Sequence, residues 1–114
     1  MSRKFSAVKT VSDTTKYTLY TVPTKHFAEW ELAYVISLTS TETPKVYWYD
    51  SSANIEYLII GGKNLGAGDY VLLNNADVII EENDEIRIQN AGTNSVTYLI
   101  TVQTIPQLSD IKHN

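Results

Sequence analysis

Hydrophobic and polar residues alternate with a period of two along most of this chain, as expected of strands that turn one face to a core and the other to water. Tyr17, Leu19 and Thr21 alternate with Thr18, Tyr20 and Val22 before Pro23-Thr24-Lys25 interrupts the run. The next stretch, HFAEWELAYVISLTS, sets Trp30, Leu32, Tyr34, Ile36 and Leu38 on one face and Glu29, Glu31, Ala33, Val35 and Ser37 on the other. In PKVYWYD, Val46 and Trp48 oppose Tyr47 and Tyr49, so both faces of that strand are bulky. In IEYLII, Ile55, Tyr57 and Ile59 oppose Glu56, Leu58 and Ile60. A link holding four of the chain's five glycines, GGKNLGAGD, follows and makes positive-φ turns cheap.

Beyond that link, YVLLNN, DVIIEEN and EIRIQN are short strand candidates separated by Asn74-Asn75 and Asn83-Asp84. The turn NAGTNS then precedes VTYLITVQT, where Val96, Tyr98, Ile100 and Val102 share a face. No window has helical period. About eight strands at roughly ten-residue spacing predict an all-β fold, a single antiparallel β-sandwich that is jelly-roll-like. The expected organisation is an extended N-terminal arm over 1–16, the sandwich over 17–106 and a C-terminal tail over 107–114.

At 114 residues the chain suits one domain able to bury roughly two thirds of its unfolded surface. It has no cysteine, which removes disulfides and thiolate metal sites from consideration. No signal-peptide pattern and no membrane-spanning apolar run occurs, so a soluble protein with no membrane partner is expected. The net charge of −4 is uneven. Arg3, Lys4, Lys9 and Lys16 against Asp13 make the first 16 residues +3, which leaves −7 for the remaining 98. A basic arm on an acidic body suits contact with another copy of that body, and also suits a solvated terminus. The acidic body argues against a nucleic-acid partner.

Candidate chemistry is sparse. His26 is the one histidine away from the end of the chain, and the serines carry no nucleophile-elbow pattern, so a hydrolase triad is not expected. The acidic run EENDEI could gather oxygens for a hard cation, but it lacks the calcium-loop pattern and reads as ordinary turn chemistry. Glu29 and Glu31 flank Trp30 as on any half-exposed strand. GGKNLGAG is no phosphate loop, since Lys63 is followed by Asn64 and then by a strand. No enzyme activity, cofactor or metal is expected.

Eight tyrosines and two tryptophans give more direction. Tyr47 and Tyr49, with Tyr57 if the two segments pair, could form an exposed aromatic stripe. Such a stripe could be buried by another subunit, be covered by the chain itself, or stack sugar rings. YTLYTVPTKHFAEWELAYVISLTS resembles the opening of small all-β virion proteins of tailed bacteriophages, where a strand ending in Tyr-Thr-Val-Pro leads into a long strand. LGAGDYVLLNNADVIIEENDEIRIQNAG resembles their later stretch of Gly-containing turn, apolar strands, acidic turn and Ile-x-Ile strand. The resemblance implies a structural subunit of the tail, connector, baseplate or capsid surface. It would be found in the virion, passing through host cytoplasm during assembly, as a homo-oligomer contacting copies of itself and other virion proteins. On that view Tyr47, Tyr49 and Tyr57 anchor the interface while Arg3, Lys4 and Lys9 reach Glu81, Glu82 and Glu85 of a neighbour. A carbohydrate-binding module reading host glycan through the same tyrosines is the alternative.

Overall fold

The computed structural model describes residues 3–107 as two packed antiparallel sheets. The strands in chain order are β1 (Arg3–Val11), β2 (Tyr17–Thr21), β3 (His26–Ser37), β4 (Pro44–Asp50), β5 (Ile55–Ile60), β6 (Tyr70–Ile80), β7 (Glu85–Asn90) and β8 (Val96–Pro106). The first sheet has the order β1-β8-β3-β6 and the second β2-β7-β4-β5. Strands distant in sequence lie side by side because the chain crosses between the sheets, which makes this an eight-stranded jelly roll. Among the described residues no helix is long and apolar enough to cross a membrane.

The expected number of strands is met by a different set. Residues 3–11 do not stand off as an arm: they pair along their whole length with β8, from Arg3↔Thr104 to Val11↔Val96. The alternation there is masked by Lys and Thr, and β1 is a sheet edge with little of its surface to bury. Conversely, YVLLNN and DVIIEEN are one strand, β6, because Asn74-Asn75 lies within a ladder irregularity and not at a turn. Of the expected tail, only Gln107 lies within the described residues.

The core is built from the inward positions of both sheets. Val96, Tyr98, Ile100 and Val102 of β8 are buried, as are Ile86 and Ile88 of β7, Val46 of β4 and Ile80 of β6. In β3 the inward set changes phase. Ala28 and Trp30 are buried, then Ala33, Val35 and Ser37, because Glu31 is an extra residue between Trp30↔Val102 and Leu32↔Thr101. This bulge sends Leu32, Tyr34 and Ile36 outward, opposite to the face that unbroken alternation assigns them. The Trp30 indole N–H donates to the Leu32 carbonyl at 3.1 Å, so the core residue before the bulge holds the backbone just beyond it. A second irregularity, between Val46 and Tyr47 on the pairing with β5, turns Ile60 inward in place of Ile59.

Each end of the sandwich is closed around a buried carboxylate. At one end Glu42, 4% exposed, accepts backbone N–H bonds from Gly92 (2.6 Å), Asn94 (3.0 Å) and Thr43 (3.2 Å). Nearby, the Tyr98 hydroxyl donates to Asn90 Oδ1 at 2.6 Å, and the Asn90 amide donates to the carbonyls of Val11 and Asn94. At the other end Asp84, 1% exposed, accepts from Trp48 Nε1 (3.1 Å), the Ser51 N–H (2.9 Å) and hydroxyl (3.1 Å), and the Glu81 N–H (2.8 Å). Both carboxylates therefore replace lost hydration with several donors, the condition under which burial of such groups is tolerated.

Candidate functional site

The outer face of the second sheet carries the aromatic residues singled out from the sequence. Tyr47 and Tyr49 project there from β4, but Tyr57 does not join them: it pairs with Trp48 in register and lies on the opposite face, its ring centroid 5.5 Å from the Trp48 ring. A single three-tyrosine stripe therefore does not form. The two outward rings are half-buried, and this chain's own cations cover them. Lys16 Nζ sits 4.3 Å from the Tyr47 ring centroid and Arg87 Cζ 3.9 Å from that of Tyr49. Their hydroxyls donate to Gln89 (2.8 Å) and Asn54 (2.5 Å).

Those cations belong to a chain of ion pairs. Lys16 reaches Glu56 at 2.6 Å, Arg87 reaches the other Glu56 oxygen at 3.0 Å, and Arg87 Nε reaches Glu85 at 2.8 Å. Burial pushes the Glu56 carboxyl up, but hydrogen bonds from Lys16 and Arg87 outweigh it and hold the group below the ordinary carboxylate range. Burial likewise pushes the Arg87 guanidinium down, and its two carboxylate partners raise it. The network lies over the face that carries Tyr47 and Tyr49, and Glu85 is engaged within it.

The remaining acidic positions behave differently from one another. Glu82 accepts from the Lys25 N–H at 2.7 Å, while Glu81 is exposed. Among the basic positions, Lys4 pairs with Glu31 at 3.2 Å, Lys9 Nζ lies 4.5 Å from the Tyr17 ring centroid, and Arg3 lines a cleft. That cleft, about 540 Å³, is also lined by Phe5, Tyr20, Pro23, His26 and Thr104. Among the described residues none lining the cleft is a carboxylate, and His26 Nδ1 lies 2.9 Å from the Thr24 carbonyl. No group of three or more metal-binding side chains occurs among the described residues.

The outer face of the first sheet is where apolar surface accumulates. Register places Val8, Leu99, Tyr34 and Leu72 in one row across all four strands. Val8 is 63% exposed and Leu72 44%. Ile36 and Tyr70 continue the patch in the next row, with the Tyr34 and Tyr70 rings 5.6 Å apart. Hydroxyl pairs flank it, Ser6 with Thr101 and Thr10 with Thr97, both at 2.8 Å. Sequence reading missed this face because the Glu31 bulge reverses the phase of β3, and nothing local in the sequence marks that bulge.

No family model matches the chain, and no curated protein matches it. Several solved structures are similar. One comes from Bacillus endospore appendages, described as a novel family of disulfide-linked pili: 11% identity, TM-score 0.58, 93% of this chain and 87% of that chain covered. The Drosophila NLP core, described in connection with pentamer formation and histone binding, has 14% identity and TM-score 0.53 over 88% of this chain and 96% of that one. A chain of the cyanophage Pam1 capsid asymmetric unit has 13% identity and TM-score 0.52 over 92% and 84%. At these identities the likeness is one of fold.

Proposed function

We propose that this protein is a non-enzymatic structural subunit that works by assembling with copies of itself and with other proteins of a particle, the virion of a tailed bacteriophage. One observation carries the reading: the apolar row Val8–Leu99–Tyr34–Leu72 crosses the outside of the first sheet, where a solitary antiparallel sandwich ordinarily presents polar residues. A capsid chain and a pilus chain with this fold support it. Any such assembly would do without disulfides through this chain, which has no cysteine. The anchor shifts from the Tyr47 and Tyr49 face to the opposite sheet, because the charged residues that cap those rings also remove the open platform a glycan would stack on.

Sedimentation velocity across a concentration series, together with probing purified particles for the chain, tests this. Discrete oligomers that dissociate in Tyr34→Glu and Leu99→Glu, with melting temperature little changed, are expected. A protein that stays monomeric at every concentration and is absent from particles would overturn the proposal.

A further inference from the structure

Among the described residues the first sheet ends in two edge strands, β1 and β6, of opposite character. The β1 edge, RKFSAVKTV, carries Arg3, Lys4 and Lys9 and no acid. At the other edge, β6 lies in the stretch 64–86, which contains no lysine or arginine; Asp69 precedes the strand, and Glu81 and Glu82 follow it. Like edges therefore repel, β1 against β1 and β6 against β6, while unlike edges attract.

The register sharpens this match. Carried across the sheet, the row of Arg3 runs through Thr104 and Ala28 to Ile80, and the row of Lys4 through Gln103 and Glu29 to Ile79. The row of Lys9 ends at Val71, two residues from Asp69. A second copy placed beside β6 at the same level would set its Arg3 and Lys4 next to the Glu81-Glu82 end and its Lys9 near Asp69. Its Val8 would meet Leu72, both exposed apolar residues. Strand direction agrees as well: three antiparallel steps separate β1 from β6, so the two run oppositely and a copy in the same orientation continues the alternation. The ladder of β6 steps from Val78 to Asn74, so the edge offers two runs, 70–74 and 78–80, and no single continuous one.

We infer that the β6 edge of one copy receives the β1 edge of the next, giving a head-to-tail contact that closes into a ring or extends as a filament. This rests on the assembly reading above and names its lateral partner. The test uses the full chain, which lacks native cysteine. Val8→Cys protein mixed with Leu72→Cys protein under mild oxidation should form a crosslinked dimer, whereas each variant alone should not. Arg3→Glu with Lys4→Glu should weaken self-association at least about tenfold at low salt, less at high salt, and mixing with Glu81→Lys protein should restore it. Wild-type protein that never self-associates would overturn this inference, and its absence from purified particles as well would bring down the assembly reading with it. Oligomers that crosslink only between like cysteines, or that ignore the charge reversals, would overturn the head-to-tail contact and leave assembly standing.

Discussion

Asp84 shows how one residue can appear functional in sequence and prove architectural. In EENDEI it is one of four acids, but the fold takes it out of solvent and aims four donors at it from three segments. Asp84→Ala should cost about 2–4 kcal/mol in urea unfolding, because the Trp48 indole and the Glu81 and Ser51 backbone groups lose their acceptor together; a loss under about 0.5 kcal/mol would contradict this role. Glu56 is held below its ordinary value, so between that value and the lower folded one the unfolded chain binds more protons and stability rises with pH. Its contribution is present above about pH 4.3 and is lost as pH falls through the folded value. Glu56→Gln should flatten the acid limb of a urea-midpoint profile. Tyr98 has the opposite sign: burial raises its phenol, so its contribution is complete below about pH 10 and lost as pH rises towards the folded value. Tyr98→Phe should flatten the alkaline limb while costing about 1–2 kcal/mol near neutrality through the lost Asn90 bond.

At the scale of elements, a single extra residue in β3 decides what the protein shows to its surroundings. If β3 kept unbroken alternation past Glu31, with no bulge there, Leu32, Tyr34 and Ile36 would turn into the core and Ala33, Val35 and Ser37 outward, which exchanges small buried side chains for large ones against an unchanged β8. Deleting Glu31 should join Trp30 directly to Leu32 and leave every later residue on its observed face, so a cooperative urea transition should survive; its loss would show that the extra residue is not what shifts the phase. The edges follow a related logic. The three cations of β1 guard it against pairing with a like edge and β2 is only five residues long, while β5 carries Ile55, Tyr57, Leu58 and Ile59 exposed with only Glu56 charged.

For the molecule as a whole, the asymmetry between its two sheets is the useful fact. On the second sheet the outward rings of β4 are capped by Lys16 and Arg87, and those cations are tied to Glu56 and Glu85, so its exposed apolar residues are confined to the β5 edge. The first sheet is unfinished, with an apolar outer row and edges of opposite charge. On the assembly proposed above, contact runs through the first sheet, so Tyr47→Ala and Tyr49→Ala should leave the sedimentation profile as it is while Tyr34→Glu alters it. The reverse pattern would place the interface on the tyrosines first suggested by the sequence.

The two-sheet class, the inward row of β8 and the opposed faces of β4 were all legible from alternation, because each depends on residues close in sequence. Alternation breaks silently at a bulge, so the phase of β3 beyond Glu31 was not legible, nor was the continuity of β6 through Asn74 and Asn75. Whether Arg3–Val11 joins a sheet depends on β8, some ninety residues away, and whether Tyr47 and Tyr49 stand open depends on Lys16 arriving from the β1–β2 link and Arg87 from β7. Local sequence therefore determined which residues could form strands, while long-range packing alone decided which faces those strands left uncovered.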